Sequence, residues 1–249
     1  MPEQQDNIVL VVPVWNDSKR FSHYAPFLAE ALSASCLPVR WVIADDGSSP
    51  EEQEKLRCLV EDLRAIYPRV ECLFSSKRSR KGGAIYRAWN AYPEAEWVGF
   101  VDADGAINSS TVLQLIRTAV EEGNGMGRIG VRRNCSKTPV KRPFGRTLFF
   151  HTFSFLVRHL IDLRFVDTQC GIKILPGSAY RAIAHKLEES GFIFDVELLL
   201  ALDQAGYSIE EIEIPWCEIP CGKVHPFWDA WRMLIGLWRI RRRLKAGVY

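Results

Sequence analysis

The chain has 249 residues, 47% of them hydrophobic and 25% charged, with a formal net charge of +2. That is the make-up of an ordinary globular protein with a sizeable core, and it excludes low-complexity, collagen-like and disordered classes. Seven scattered cysteines form no disulfide framework and indicate reduced, cytoplasmic usage. The polar, acidic N-terminus does not read as a signal peptide, and no apolar stretch is long enough to span a bilayer.

In chain order, Ile8 to Val14 reads as a first strand, Tyr24 to Ser35 as a helix and Trp41 to Ala44 as a second strand. Glu51 to Tyr67 is expected to be helical, with acids in its first turn and Pro68 past its end. Val70 to Phe74 is a short strand, Gly83 to Tyr92 a helix, Glu96 to Val101 a strand and Ser109 to Glu122 a helix. Alternation of this kind predicts parallel strands joined by right-handed crossovers. From Gly123 the pattern changes to a basic loop, then a helix near Thr147 to Leu163 and a strand near Gly171 to Leu175. Helices near Ser178 to Ser190 and Asp195 to Ala205, and a late strand at Ile209 to Ile214, complete it. The expected class is α/β, a mainly parallel central sheet flanked by helices, in a single domain over 1–249. Within it, about 1–122 form a nucleotide-binding half, about 123–225 an acceptor-binding half, and about 226–245 a C-terminal amphipathic helix.

Two acidic clusters each follow an apolar run. Trp97 to Val101 delivers Asp102-Ala103-Asp104, and Val39 to Ala44 delivers Asp45-Asp46-Gly47-Ser48. Carboxylates just past such strands stand at the carboxyl edge of an open α/β sheet, where these folds bind ligands. Asp102 and Asp104, alternate residues at a strand end, are suited to share one hard cation, Mg²⁺ or Mn²⁺, which bridges to a substrate phosphate. Lys81-Gly82-Gly83 leads a helix, where Lys81 and free N–H groups suit a phosphate.

Charge is unevenly spread. No acid occurs from Gly123 to Ile161, a stretch holding Arg128, Arg132, Arg133, Lys137, Lys141, Arg142, Arg146 and Arg158. After Asp229 only cations follow. Such blocks imply an anionic partner. Nucleic acid is disfavoured, because no recognition module is present and the two acidic clusters repel phosphates unless a metal intervenes.

Taken together, Val12-Pro13-Val14-Trp15-Asn16-Asp17, Asp45-Asp46-Gly47-Ser48, Lys81-Gly82-Gly83-Ala84, Asp102-Ala103-Asp104-Gly105-Ala106, Asp167-Thr168-Gln169-Cys170-Gly171 and Phe194-Asp195-Val196-Glu197-Leu198-Leu199 resemble the family 2 glycosyltransferases of GT-A fold. Within them the chain is most similar to the polyprenyl-phosphate group, dolichyl-phosphate glucosyltransferases first and mannose synthases second. The resemblance runs from about Ile8 to about His225. An acidic residue longer than Asp17 and an aromatic smaller than Trp15 are more usual there, and the N-terminal membrane anchor of the eukaryotic glucosyl enzymes is not seen.

The resemblance implies an inverting, metal-dependent transfer of a hexose, glucose favoured, from UDP-glucose or GDP-mannose to a polyprenyl phosphate. Mannosyl transfer, transfer to a saccharide hydroxyl and a non-enzymatic anionic-membrane-binding role are the alternatives. Pro13, Trp15, Asp17 and Asp45 would receive the nucleotide, with Lys81 and Asp102 at its phosphates and ribose. Asp104 would coordinate the metal, with Asp102 beside it. Arg132, Arg142 and Arg146, with Gln169, would bind the acceptor phosphate, arginine forks suiting phosphate oxygens. Asp195 would face the donor sugar or act as base. Lys223 and His225 resemble a loop closing over the diphosphate, and Cys170 reads as a small buried residue.

The segment from Pro226 to Lys245 is too apolar for one-sided burial, since Phe227, Trp231, Met233, Leu234, Ile235, Leu237, Trp238 and Ile240 cover more than half its circumference. Arg232, Arg239 and Arg243 fall in one stripe. One face is expected on the domain and the other on a membrane surface, at the cytoplasmic side, or alternatively in a homodimer.

Overall fold

The computed structural model describes residues 7–122, 125–134, 153, 156–217, 219 and 226–249. Arg142, Arg146, Lys223 and His225 lie outside the described residues, as do 147–152, 154 and 155 of the helix expected over 147–163; residues 156–161 of it are helical.

Seven strands form one sheet: β1 (Ile8–Val14), β2 (Val39–Asp45), β3 (Val70–Leu73), β4 (Trp97–Val101), β5 (Gly127–Asn134), β6 (Ile172–Pro176) and β7 (Ile209–Trp216), in the order β3-β2-β1-β4-β6-β5-β7. Every neighbouring pair is parallel except those that β6 makes with β4 and β5. The sheet is therefore mainly parallel, with one reversed strand. The reversal matters for the site. It brings the start of β6, and the residues 167–171 that precede it, to the edge where β1, β2, β4, β5 and β7 end.

The central strands are buried on both faces, as a continuous β-branched run requires. Ile8, Leu10, Val12 and Val14 pack with helices α1 (Ser18–Ser35), α2 (Pro50–Ile66) and α4 (Ser109–Glu121). Val9 and Val11 pack on the other face with α3 (Arg80–Asn90), α5 (Gly177–Ile183) and α6 (Phe194–Gln204). Cap chemistry sets several ends. The hydroxyl of Ser49 accepts from the N–H of Glu52 ahead of α2, where Pro50 fits the first turn, and Asn108 accepts from the N–H of Thr111 at 2.8 Å ahead of α4. A third apolar cluster joins Ile129, Val157, Ile161, Val196 and Leu199 to Leu237 and Ile240 of the C-terminal helix α7 (Pro226–Lys245).

Three elements differ from the sequence reading. Helix α1 starts at Ser18, well before Tyr24, and carries Pro26 inside it. The supposed basic loop after Gly123 contains strand β5, because its cations are met by distant acids: the fully buried Arg128 is bridged by Glu122, and Glu210 approaches its Nε at 2.9 Å. The helix expected over Ser178 to Ser190 ends at Ile183 with one further 3₁₀ turn, Ala184–Lys186, and the chain from 187 to 193 runs irregularly across the start of α3.

Candidate active site

The ends of β1 and β2 are laced into one wall. Asn16 donates its N–H to the Ser48 hydroxyl at 2.8 Å, and its side-chain oxygen accepts from the N–H of Ser49 at 2.7 Å. Ser18 donates its N–H and its hydroxyl to Glu52 at 3.0 and 2.7 Å. Gly47 adopts φ +69°, and a Cβ there would sit 2.6 Å from the backbone of Lys77; both facts demand glycine. Trp15 is half-buried, with the guanidinium of Arg78 3.3 Å above its ring centre. Pro13 stands opposite Ala44 in the ladder. Asp17, half-buried, accepts from Nε of Arg20 at 2.8 Å.

Asp45 has no exposed surface. Its carboxylate accepts from the N–H of Ser48 at 3.2 Å, from Nε2 of Gln53 at 2.8 Å and from the N–H of Ser75 at 3.3 Å. Its oxygens tie β2 to α2 and to the loop after β3. Asp46 does similar work, accepting from the N–H and hydroxyl of Ser79 at 2.6 and 2.9 Å.

A second group gathers at the ends of β4 and β6. Lys81 Nζ lies 2.7 Å from Asp102 Oδ1. Burial would lower the Lys81 pKa, but Asp102, Asp195 and Asp104 together hold it above its ordinary value. Burial, and then the charge of Asp102, push the Asp104 carboxyl above the usual range. Beside them the hydroxyl of Tyr24 is buried with no hydrogen-bond partner among the described residues, and burial, Asp104 and Asp102 all raise its pKa. Lys81 thus pairs with Asp102, while Asp104 beside it has no ion pair among the described residues. Among the described residues no group of three or more His, Cys, Asp or Glu side chains makes a metal cage. Asp102 and Asp104 nevertheless fit Mg²⁺ or Mn²⁺, ions commonly held by one or two carboxylates with water and substrate phosphate completing the shell.

Two N–H groups in the first turn of α3 are taken up within the chain. The carbonyl of Ser190 accepts from the N–H of Gly82 at 2.8 Å and of Gly83 at 3.2 Å. Glycine is required for that approach, since a Cβ at Gly82 would lie 2.5 Å from Phe194. Asp195 is enclosed. It is 1% exposed, and its Oδ1 sits 2.5 Å from Nζ of the fully buried Lys173. Lys173 donates further to the carbonyls of Thr168 and Cys170, both at 3.0 Å, fixing the turn ahead of β6. Burial raises the Asp195 pKa, opposed by Lys173. The motif beginning at Asp167 is held from β5: Arg132 donates through Nε and Nη2 to the buried Asp167 at 2.6 and 2.8 Å, with the Trp216 ring 5.5 Å away. Gln169 is half-buried, with its Nε2 unpartnered among the described residues. Cys170 is fully buried and its thiol is pushed up to about 12, chiefly by burial.

The sheet edge thus presents two neighbouring regions, one built from Pro13, Trp15, Asp17 and the Asp45–Ser48 turn, the other from Lys81, Asp102, Asp104, Arg132 and Gln169. Gln53, Ser75, Arg78, Lys173, Ser190 and Tyr24 belong to the same edge and were not singled out from sequence. Lys173 carried a signal, a lysine inside the apolar run Ile172 to Pro176.

The chain is 30% identical over 99% of its length to dolichyl-phosphate beta-glucosyltransferase of Saccharomyces cerevisiae, covering 79% of that protein. It is 28% identical to the mouse protein of the same name, over 96% of this chain and 79% of that one. Its fold is similar to that of glucosyl-3-phosphoglycerate synthase from Mycobacterium tuberculosis, crystallised with Mg²⁺ and uridine diphosphate, at TM-score 0.65 and 13% identity over 94% of this chain and 79% of that one. That likeness shows the GT-A fold. The model of the Glycosyl transferase family 2 matches residues 9–186, and the chain belongs to that family: it is a glycosyltransferase.

Proposed function

We propose that this enzyme transfers glucose from UDP-glucose to the phosphate of a polyprenyl lipid, with inversion at the sugar carbon. The observation that carries the reading is the similarity, along nearly the whole chain, to proteins named dolichyl-phosphate beta-glucosyltransferase. The site's chemistry supports it. A lipid phosphate oxygen attacks the anomeric carbon as the bond to the nucleotide diphosphate breaks, and the departing diphosphate takes up the charge. The acceptor is largely ionised near neutral pH, because its second pKa is about 6. No strong general base is needed, which accords with an Asp195 enclosed by Lys173.

In this reading Lys81 meets the diphosphate, and Asp102 and Asp104 hold Mg²⁺ or Mn²⁺, which supplies Lewis-acid stabilisation of the leaving group. Trp15 and Pro13 wall the nucleotide base, and Asp17 and Asp45 shape that wall through Arg20 and through Gln53, Ser48 and Ser75. Asp195 acts as a positioning residue. Arg132, with Arg142 and Arg146 from the basic stretch, and Gln169 receive the acceptor phosphate.

The acceptor lies in a membrane, and α7 offers the means of reaching it. Among the described residues no helix is long and apolar enough to cross a bilayer. Trp228, Trp231, Ile235 and Trp238 are exposed at helical spacing, while Leu237 and Ile240 are buried against the domain. Arg232, Arg242 and Lys245 are exposed too. Tryptophans at headgroup level flanked by cations suit an anionic, cytoplasmic membrane face. Arg239 and Arg243, expected to face lipid, instead bind Glu189 and Glu197.

Thermal-shift measurement with a panel of nucleotide sugars and Mn²⁺ tests the donor. UDP-glucose is expected to raise the Tm, and only in the presence of the metal. Stabilisation by GDP-mannose in its place overturns the glucose assignment.

A further inference from the structure

The irregular stretch 187–193 lies between the C-terminal helix and the start of α3; Leu187 and Ile193 pack at its two ends, and between them it is held by polar clasps. Glu197 on α6, fully buried, accepts from the N–H of Glu188 at 2.8 Å and of Glu189 at 2.6 Å. The Tyr249 hydroxyl reaches the same carboxylate at 2.7 Å, and Arg243 binds it too while donating to the Lys186 carbonyl at 2.6 Å. Glu189, itself 6% exposed, accepts from both Nε and Nη2 of Arg239, each at 2.7 Å. Apolar packing contributes through Ile193, buried with Leu237 and Ile240 of α7, and a cleft of about 280 Å³ opens beside it, lined among others by Arg80, Ser190, Met233 and Arg239. The next residue, Ser190, supplies the carbonyl that accepts from Gly82 and Gly83. Arg80, which opens α3, has φ +66°, so the first turn of this helix departs from relaxed geometry just where Lys81 leaves it for Asp102.

We infer that the Glu189–Arg239 pair is a positioning element for the transfer reaction: it fixes the Ser190 carbonyl, and through Gly82 and Gly83 the placement of Lys81 against Asp102. The inference rests on the reading of Lys81 and Asp102 as part of the donor-phosphate site. Its physical content is a contiguous series of short contacts from α7 to the site. Breaking the bidentate pair leaves the two N–H bonds to Glu197 in place, so the fold persists while Ser190 loses one of its restraints. A long side chain such as that of Lys81 magnifies a small change in the first turn, and misplacement near 1 Å at a reacting centre costs up to about a hundredfold in rate.

The test compares the full chain with Glu189→Gln, Arg239→Gln and Arg239→Lys by hydrogen-exchange mass spectrometry and by kinetics. Both Gln variants are expected to exchange roughly tenfold faster in peptides spanning 81–85, with β1 and β2 amides unchanged. They are expected to lower kcat without raising the acceptor KM, and Arg239→Lys to recover part of both effects. Unchanged exchange at 81–85 in both Gln variants overturns the inference, as does a uniform loss of protection through the whole chain. The exchange readout needs no substrate, so a wild-type protein inactive in glucose transfer counts against the proposed function and leaves the pair to be judged by exchange.

Discussion

The ammonium of Lys81 lies 2.7 Å from Asp102 Oδ1, so the chain brings a cation of its own to the first of the paired carboxylates. Among the described residues Asp104 has no such ion pair and accepts from the N–H of Ala106 at 3.0 Å. Burial, and then Asp102, hold its pKa above the usual range, which disfavours its ionised form in the folded chain when no cation is bound.

Asp104→Asn is therefore expected to keep or slightly raise the Tm while cutting turnover roughly a hundredfold or more, the usual effect of removing one electrostatic element from a transfer site. Excess EDTA is expected to abolish activity. Calorimetric melting and steady-state rates check both statements, and a variant with full activity in EDTA refutes the metal assignment.

Arg132 makes a two-pronged contact to Asp167, and lysine cannot reproduce the fork. Arg132→Lys is expected to raise the acceptor KM roughly tenfold or more with donor affinity unchanged, a charge-assisted contact being worth about 1.5–3 kcal/mol. A lower Tm with unaltered acceptor kinetics assigns Arg132 a structural role.

How much of this was legible beforehand depended on what held each element. β1, β2 and β4 are apolar runs ending in acids, and they lie where the sequence puts them. β5 was hidden because Arg128 and Arg132 interrupt its run, and the acids that answer them, Glu122, Glu210 and Asp167, are set by the fold. Most of the described site residues expected from sequence lie along one sheet edge, since parallel strand ends converge. The enclosure of Asp45 and Asp195 was not legible, because Gln53, Ser75 and Lys173 reach them through contacts with no local sequence spacing. The Ser190 carbonyl carries no sequence signal at all, being backbone.

Acid should loosen the nucleotide wall. Glu52 is held at about 2, first by its bond from Lys55 and then by those from Ser18, against the opposing effect of burial. Its folded pKa is below the ordinary 4.5, so its contribution is complete above that value and is lost as pH falls towards 2. The Tm difference between wild type and Glu52→Gln is expected to be constant above about pH 5 and to shrink below it. A difference independent of pH down to 2 contradicts this.

The exposed tryptophans of α7 predict sedimentation with anionic liposomes at low salt, weakened as salt screens the cations. Trp231→Glu with Trp238→Glu is expected to abolish binding without lowering the Tm. Absence of binding, with a stable dimer lost in that double variant, assigns the face to a second copy of the chain.

The most direct test of the account is transfer of radiolabelled glucose from UDP-glucose by the purified protein, with Mn²⁺ and vesicles containing a polyprenyl phosphate. Label moving into the organic phase in a mild-acid-labile form, and only when the lipid phosphate is present, is the predicted result. Label that stays in the aqueous phase on a saccharide, or that reaches the organic phase only from GDP-mannose, contradicts it.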